Sequence, residues 1–229
     1  MNKKGASGRE VALEAREATG GRMFSPSAAR NKDPIREVFL ERMPCAGAIV
    51  EVGSGTGEHV VHLAAALPEA WFLPGDPDEP SRASIAAWTA HAGLSNVAPP
   101  HAIDVTAPDW PRRAARLCEE TGGGPIVAVV SINMIHIAPF DAAEGLIAGA
   151  GALLGPGGKL FLYGPFARDG AHTAPSNAEF DATLRARDPR WGVRDLERDI
   201  LPLAQAAGLK LEAAIPMPAN NFSAIFARD

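Results

Sequence analysis

Glycines spaced one residue apart, and carboxylates at the ends of apolar runs, are the chemically suggestive features of this 229-residue chain. The run Ala48-Ile49-Val50-Glu51-Val52 passes into Gly53-Ser54-Gly55-Thr56-Gly57, and Val60–Leu67 then has helical character. Glycine serves where the backbone must take positive φ or come close to a ligand. A helix that follows offers unpaired N–H groups and the positive end of its dipole. A strand, tight turn and helix of this kind bind nucleotide-like cofactors at the carboxyl edge of a parallel sheet. The dinucleotide fingerprint places its third small residue one position beyond Gly57, where this chain has Glu58. The loop therefore suits close backbone approach better than the cradling of a diphosphate.

Further polar residues close later apolar runs. Asp76 stands about twenty residues beyond the last glycine, the spacing at which a carboxylate on the next strand meets ribose hydroxyls. Asp78 suits the N-cap of the helix over Pro80–Ala92, which leaves Asp76 free for that role. Asp104 ends a third run, Asn96–Val105. Ile126–Ile132 is the most continuous apolar stretch, as expected of a central parallel strand buried on both faces, and it ends at Asn133. His136 is either a general base, since imidazole titrates near neutrality, or a packed, hydrogen-bonded histidine. Tyr163, the single tyrosine, ends the strand Lys159–Phe166 and is either a substrate-facing hydroxyl or a core aromatic.

The elements that must position these groups follow from periodicity and turn chemistry. Residues 1–21 are expected to form an arm, with a short helix around Val11–Ala18, and 22–229 a single domain. Ser25-Pro26 reads as a helix start, and a second helix is expected from Asp33-Pro34 through Ile35, Val38, Phe39 and Met43. Later come a helix over Ala142–Leu154 with its Gly-Pro-Gly-Gly turn, a polar excursion at 167–196 containing a helix through Leu184, a helix over Glu197–Ala207, and two final strands. Long excursions at this edge of a sheet commonly build an acceptor pocket. His172, Asn177 and Trp191 are the candidates there, alongside Arg30 and Asn31 near the start.

Composition narrows the function classes. The net charge of −5 argues against a broad nucleic-acid footprint, and Arg112, Arg113 and Arg116 read more simply as the solvated face of a helix. No stretch reaches the length of a membrane span. The charged, small residues at the start do not resemble a secretory signal. Two cysteines, Cys45 and Cys118, have no metal or redox spacing, which suits a reducing, cytoplasmic setting. His59 and His62 lie at i, i+3, but no carboxylate pattern completes a metal site.

Taken together, Glu51–Gly57, Asp76, Asp104, Asn133 and Gly155–Phe166 resemble the motifs of class I S-adenosylmethionine-dependent methyltransferases over nearly the whole chain. More narrowly, Phe24–Lys32, Gly164–Phe166, His172–Asn177 and Met217–Asn221 resemble a methyltransferase-like family known mainly as a domain of unknown function. The resemblance implies a three-layer Rossmann-like α/β sandwich whose mostly parallel seven-stranded sheet has an antiparallel last strand. It implies S-adenosylmethionine as cofactor, held by Glu51, Gly53, Ser54, Gly55, Gly57, Asp76, Asp104, Val105 and Asn133. In that family the acidic residue on the first strand helps fix the loop and the methionine ammonium, and the aspartate and following amide meet adenine. Asn133 and His136 have the spacing of the N-P-P-Y motif, but Met134 and Ile135 replace both prolines, so base or amide methylation is not carried over. A small-molecule acceptor is expected, its identity and the oligomeric state being left open. A non-catalytic cofactor binder, a nicotinamide-dependent oxidoreductase and an aminopropyltransferase remain alternatives.

Overall fold

The computed structural model describes residues 16–229. Its first described element is a hairpin, β1 (Glu17–Thr19) with β2 (Arg22–Phe24), turned at Gly20-Gly21. Both central glycines take positive φ, the backbone that tight hairpins require. The helix expected around Val11–Ala18 falls mostly outside the described residues, and Glu17–Ala18 within it are extended.

Ser25 caps the next helix, α1 (Pro26–Arg42), by accepting the amide of Ala28. The break expected at Asp33-Pro34 does not occur, and α1 is one helix with Pro34 inside it. An internal proline costs about 3 kcal/mol. Ile35 and Phe39, both fully buried just beyond it, each return about 1.5–3 kcal/mol, and Phe39 meets Phe161 edge-on at 5.3 Å. Burial therefore outweighs the lost hydrogen bond.

Apolar runs form a six-stranded sheet. Four strands are parallel: β3 (Gly47–Val52), β4 (Ala70–Gly75), β5 (Ile126–Ile132) and β6 (Lys159–Gly164). β7 (Leu209–Met217) and β8 (Asn221–Arg228) complete the order β4-β3-β5-β6-β8-β7, with β8 antiparallel to both its neighbours. The outermost strand, β7, carries a bulge between Leu211 and Ala213.

The sheet has one strand fewer than the seven expected. Asn96–Val105 does run beside β4, but only as isolated bridges at Phe72–Val97 and Gly75–His101. Proline explains the gap. Ala98 donates to the Phe72 carbonyl and His101 to that of Pro74, while Pro74, Pro99 and Pro100 have no N–H to complete the ladder.

Side chains alternate cleanly between two faces. Ile49, Phe72, Val130, Phe161 and Ile225 pack toward α1, α2 (Glu58–Ala66) and α3 (Glu79–Ala92). Val50, Val129, Leu160, Leu162 and Phe226 pack toward α4 (Trp110–Glu120), α5 (Phe140–Leu153) and α7 (Leu201–Ala206). Glu51 and Tyr163 lie by alternation on the first face. After β6 the chain makes its excursion through α6 (Pro175–Arg187). The helix expected over Glu197–Ala207 is instead a π-helical turn, Leu196–Ile200, that runs into α7. No helix among the described residues is long and apolar enough to cross a membrane.

Close helix packing on the second face depends on absent side chains. A Cβ on Gly149 of α5 would lie 2.1 Å from the Trp110 ring, whose Nε1 donates to the Gly145 carbonyl at 2.9 Å. Gly149→Ala is expected to destabilise the protein by about 1–3 kcal/mol, measured by urea unfolding. An unchanged midpoint would show that Trp110 yields without cost.

Candidate functional site

The turn after β3 is made by glycine at three alternate positions, with φ of +66° at Gly53, +56° at Gly55 and +90° at Gly57. A Cβ on Gly53 would meet the Met134 Cγ at 2.6 Å, and one on Gly57 the Ile85 Cα at 2.8 Å. At those two positions conformation and packing both require glycine. Gly55 is roomier: a Cβ there would lie 3.9 Å from Arg16 Nη2 and 4.0 Å from the Gly53 carbonyl oxygen.

Asp76, just past the end of β4, fastens this turn. Its Oδ2 accepts the Gly55 amide and its Oδ1 the Asp78 amide, both at 2.9 Å. Burial raises its pKa, and the two amides offset part of the rise. Asp78 caps α3 by accepting the Ser81 amide at 2.9 Å, the N-cap role expected of it.

Beneath the turn, Glu51 is 3% exposed, and its Oε2 has no hydrogen-bond partner among the described residues. Burial lifts its pKa from 4.5 to about 8, against an opposing hydrogen bond from Ser54 and with the Asp76 charge adding to the rise. With burial outweighing the Ser54 hydrogen bond, the carboxyl stays protonated at neutral pH, and an entering cation beside the unpartnered Oε2 would restore its charge. The residues present thus fit a ligand with a cationic group and a close-lying backbone contact.

Glu58 has a role that sequence reading missed. Its buried Oε2 accepts the Ser25 amide at 2.7 Å and the Thr56 hydroxyl at 3.0 Å, tying the start of α1 to the glycine turn. The β1–β2 hairpin is tied down as well. Ser84 accepts the Met23 amide at 2.8 Å and donates to the Thr56 carbonyl at 2.7 Å, and Trp88 Nε1 donates to the Met23 carbonyl at 2.8 Å. The Arg22 guanidinium lies 4.9 Å from the Trp88 ring centroid.

The other expected site residues divide into those beside the turn and those away from it. Asn133, at φ +62°, donates its amide to the Tyr163 carbonyl at 2.8 Å, and the adjacent Met134 packs on Gly53. Asp104 is exposed and accepts the Thr106 amide and hydroxyl through Oδ1, while Val105 is buried with its carbonyl against Gly145. Asn31 accepts from His59 Nε2 at 2.8 Å and hydrogen-bonds the Tyr163 hydroxyl. Arg30 is exposed and donates to the Ser27 hydroxyl. In the excursion, buried Asn177 donates to the Thr173 hydroxyl and, at 2.9 Å, to the Asn220 carbonyl. His172 Nε2 is 3.7 Å from Asp181 Oδ2, and Trp191 is half-buried. These contacts of His172 and Asn177 lie within the excursion and the β7–β8 turn.

His136 is fully buried. Its Nδ1 accepts the Arg194 amide at 3.1 Å, so Nε2 carries the hydrogen of the neutral ring. Burial, with the Arg194 charge next, pushes its pKa down to about 3. Nε2 has no hydrogen-bond partner among the described residues, and an imidazole held neutral so far below its ordinary range is a poor base. Arg194, another residue the sequence did not flag, donates to the carbonyls of Ile135 (3.0 Å), Ala138 (2.7 Å) and Arg190 (3.0 Å). It clamps the excursion to the turn after β5.

The family described as "Protein of unknown function (DUF938)" matches residues 22–228, and the chain belongs to it. The fold is shared with solved class I methyltransferases at low identity. An O-methyltransferase family protein from Burkholderia thailandensis superposes with TM-score 0.70 at 16% identity, over 89% of this chain and 57% of its own. An O-methyltransferase family 2 protein from Planctomyces limnophilus DSM 3776, solved in complex with apigenin, gives 0.69 at 18%, over 89% and 60%. The S-adenosylmethionine-dependent methyltransferase SibL gives 0.66 at 18%, over 88% and 55%. The chain thus spans little more than half the length of these structures.

The buried groups make opposing contributions to stability against pH. Glu51, with a folded pKa of about 8 above its ordinary 4.5, binds a proton only in the folded state between those values. Its contribution therefore declines as pH rises from 4.5 through 8. His136 and His59, pushed down to about 3 and about 4 from 6.5, contribute fully above 6.5 and lose that contribution as pH falls. Urea unfolding of ligand-free protein from about pH 6.5 to 8.5 isolates Glu51 from the histidines. Glu51→Gln is expected to flatten the decline, and an unchanged slope in the variant would contradict the assignment.

Proposed function

We propose that this member of the DUF938 family is an S-adenosylmethionine-dependent methyltransferase acting on a small-molecule acceptor. The observation that carries the proposal is the buried Glu51 carboxyl, whose Oε2 has no partner among the described residues, beneath a turn of three positive-φ glycines braced by Asp76. In this reading Glu51 receives the cofactor's ammonium, while Gly53, Ser54, Gly55 and Gly57 bring backbone close to its amino-acid end. Asp76 already accepts two amides and keeps lone pairs for a ribose diol. Asp104 and the Val105 amide flank adenine, and the Asn133 turn borders the reacting centre.

When bound, S-adenosylmethionine supplies an activated methyl group for in-line transfer to a nucleophile. The chain's own task is then alignment and exclusion of water. Tyr163, whose pKa is raised by burial against the Asn31 hydrogen bond, keeps its proton and serves as a hydroxyl donor. His136 holds the Arg194 backbone in place instead of taking a proton. The excursion at 167–196 bounds the acceptor space in this reading, with Arg194 setting its position. The O-methyltransferase names of the fold neighbours make hydroxyl-bearing small molecules the first acceptors to test. The two free cysteines accord with a reducing, cytoplasmic setting.

Calorimetry with S-adenosylmethionine, S-adenosylhomocysteine and NADH tests the proposal. The first two are expected to bind and NADH is not. Asp76→Ala is expected to weaken both by at least ~10-fold through loss of charge-assisted hydrogen bonds. Binding of NADH alone would replace this reading with the oxidoreductase one.

A further inference from the structure

The glycine turn is flanked by two carboxyls, Glu51 beneath and Asp76 beside it, and both suit positive or hydroxyl-bearing parts of a ligand. The opposite charge comes from a different part of the chain. Arg16 immediately precedes β1, and its guanidinium lies over Gly55 on the open side of the turn. We propose that Arg16 binds the carboxylate at the amino-acid end of the cofactor and so selects ligands that carry both an α-ammonium and an α-carboxylate. The assignment rests on the S-adenosylmethionine reading and deepens it.

Three observations support it. Arg16 makes no ion pair with any described residue, whereas its neighbour Arg22 is stacked on Phe24 and Trp88. The hairpin that carries Arg16 is fixed by the Ser84 and Trp88 hydrogen bonds to Met23, and the chain beyond it by Glu58 through Ser25. Its backbone is therefore positioned before any ligand arrives, which lowers the ordering cost of binding. The placement is also complementary. A zwitterionic group between Glu51 and Arg16 meets a charge of opposite sign on each side, and the planar guanidinium matches a carboxylate bidentately. The Asp76 carboxylate feels the same guanidinium, which acts to lower its pKa.

A donor without the carboxylate would gain nothing from Arg16, so the arrangement argues against aminopropyl transfer from decarboxylated S-adenosylmethionine. Calorimetry on wild type, Arg16→Ala, Arg16→Gln and Arg16→Lys with three ligands tests this: S-adenosylhomocysteine, decarboxylated S-adenosylmethionine and 5′-methylthioadenosine. Arg16→Ala and Arg16→Gln are expected to weaken S-adenosylhomocysteine by roughly 10- to 100-fold. The two ligands lacking the carboxylate should change by less than about twofold, and Arg16→Lys should fall between wild type and the neutral variants. Unchanged Trp88 fluorescence would show that the hairpin stays docked. Equal weakening of all three ligands, tightening of all three, or no change for S-adenosylhomocysteine would each overturn the assignment. Only a wild-type protein that binds none of the three would overturn the cofactor reading with it.

Discussion

A single carboxylate bridging two strand ends organises this molecule. Asp76 belongs to the segment after β4, yet its Oδ2 holds the amide of Gly55 in the turn after β3. Without a side chain at Gly53, Gly55 or Gly57 the turn has little to define its shape from within, so its geometry must be imposed from outside. Asp76 does this from one side, Met134 and Ile85 by contact from two others, and Glu58 from the start of the following helix. Leaving Glu51 buried with Oε2 unpaired is tolerable only because protonation removes its charge. The site is thus held open by neighbours at the expense of one unsatisfied carboxyl oxygen.

The parts of this arrangement that were legible in the sequence are those set by short-range rules. Positive-φ glycines after a β-branched strand, an aspartate one βα unit later, and a second aspartate suited to an N-cap are all local signals, and the structure places Gly53–Gly57, Asp76 and Asp78 accordingly. What stayed hidden depends on pairs distant in sequence. Asn31 meets His59 and Tyr163, Glu58 meets Ser25, and Arg194 meets the turn after β5. No local pattern distinguishes these residues from other polar side chains. Two expectations fail because the effect of proline depends on its surroundings. Pro34 does not end α1, because the apolar face of the helix continues through it. The prolines near Asn96–Val105 remove donors from the ladder that a seventh strand needs.

Among the described residues, the non-glycine residues at positive φ are Asn133, Asp169, Ala219 and Asn220. They lie after β5, after β6 and between β7 and β8, at the edge of the sheet that bears the glycine turn. For alanine in particular this conformation costs free energy, and such strain persists only where surroundings enforce it. Here they do so visibly: Asn177 and Ser176 of α6 both hydrogen-bond Asn220, and Gly170 beside Asp169 donates to Asp195. The excursion after β6 and the β7–β8 turn therefore brace one another, and the less regular half of this edge is fixed by polar contacts instead of by apolar burial.

The prolines that interrupt the ladder beside β4 have a counterpart at the far margin of the sheet. There β7 carries exposed Lys210, Glu212 at its bulge, and Pro216. An unpaired strand margin invites hydrogen bonding by another chain, and missing donors, charge and bulges all discourage it. At one margin the bordering segment is poor in donors; at the other the strand is kinked and charged. Both margins thus resist recruitment into intermolecular β-structure, which favours colloidal solubility at the high local concentrations met during synthesis.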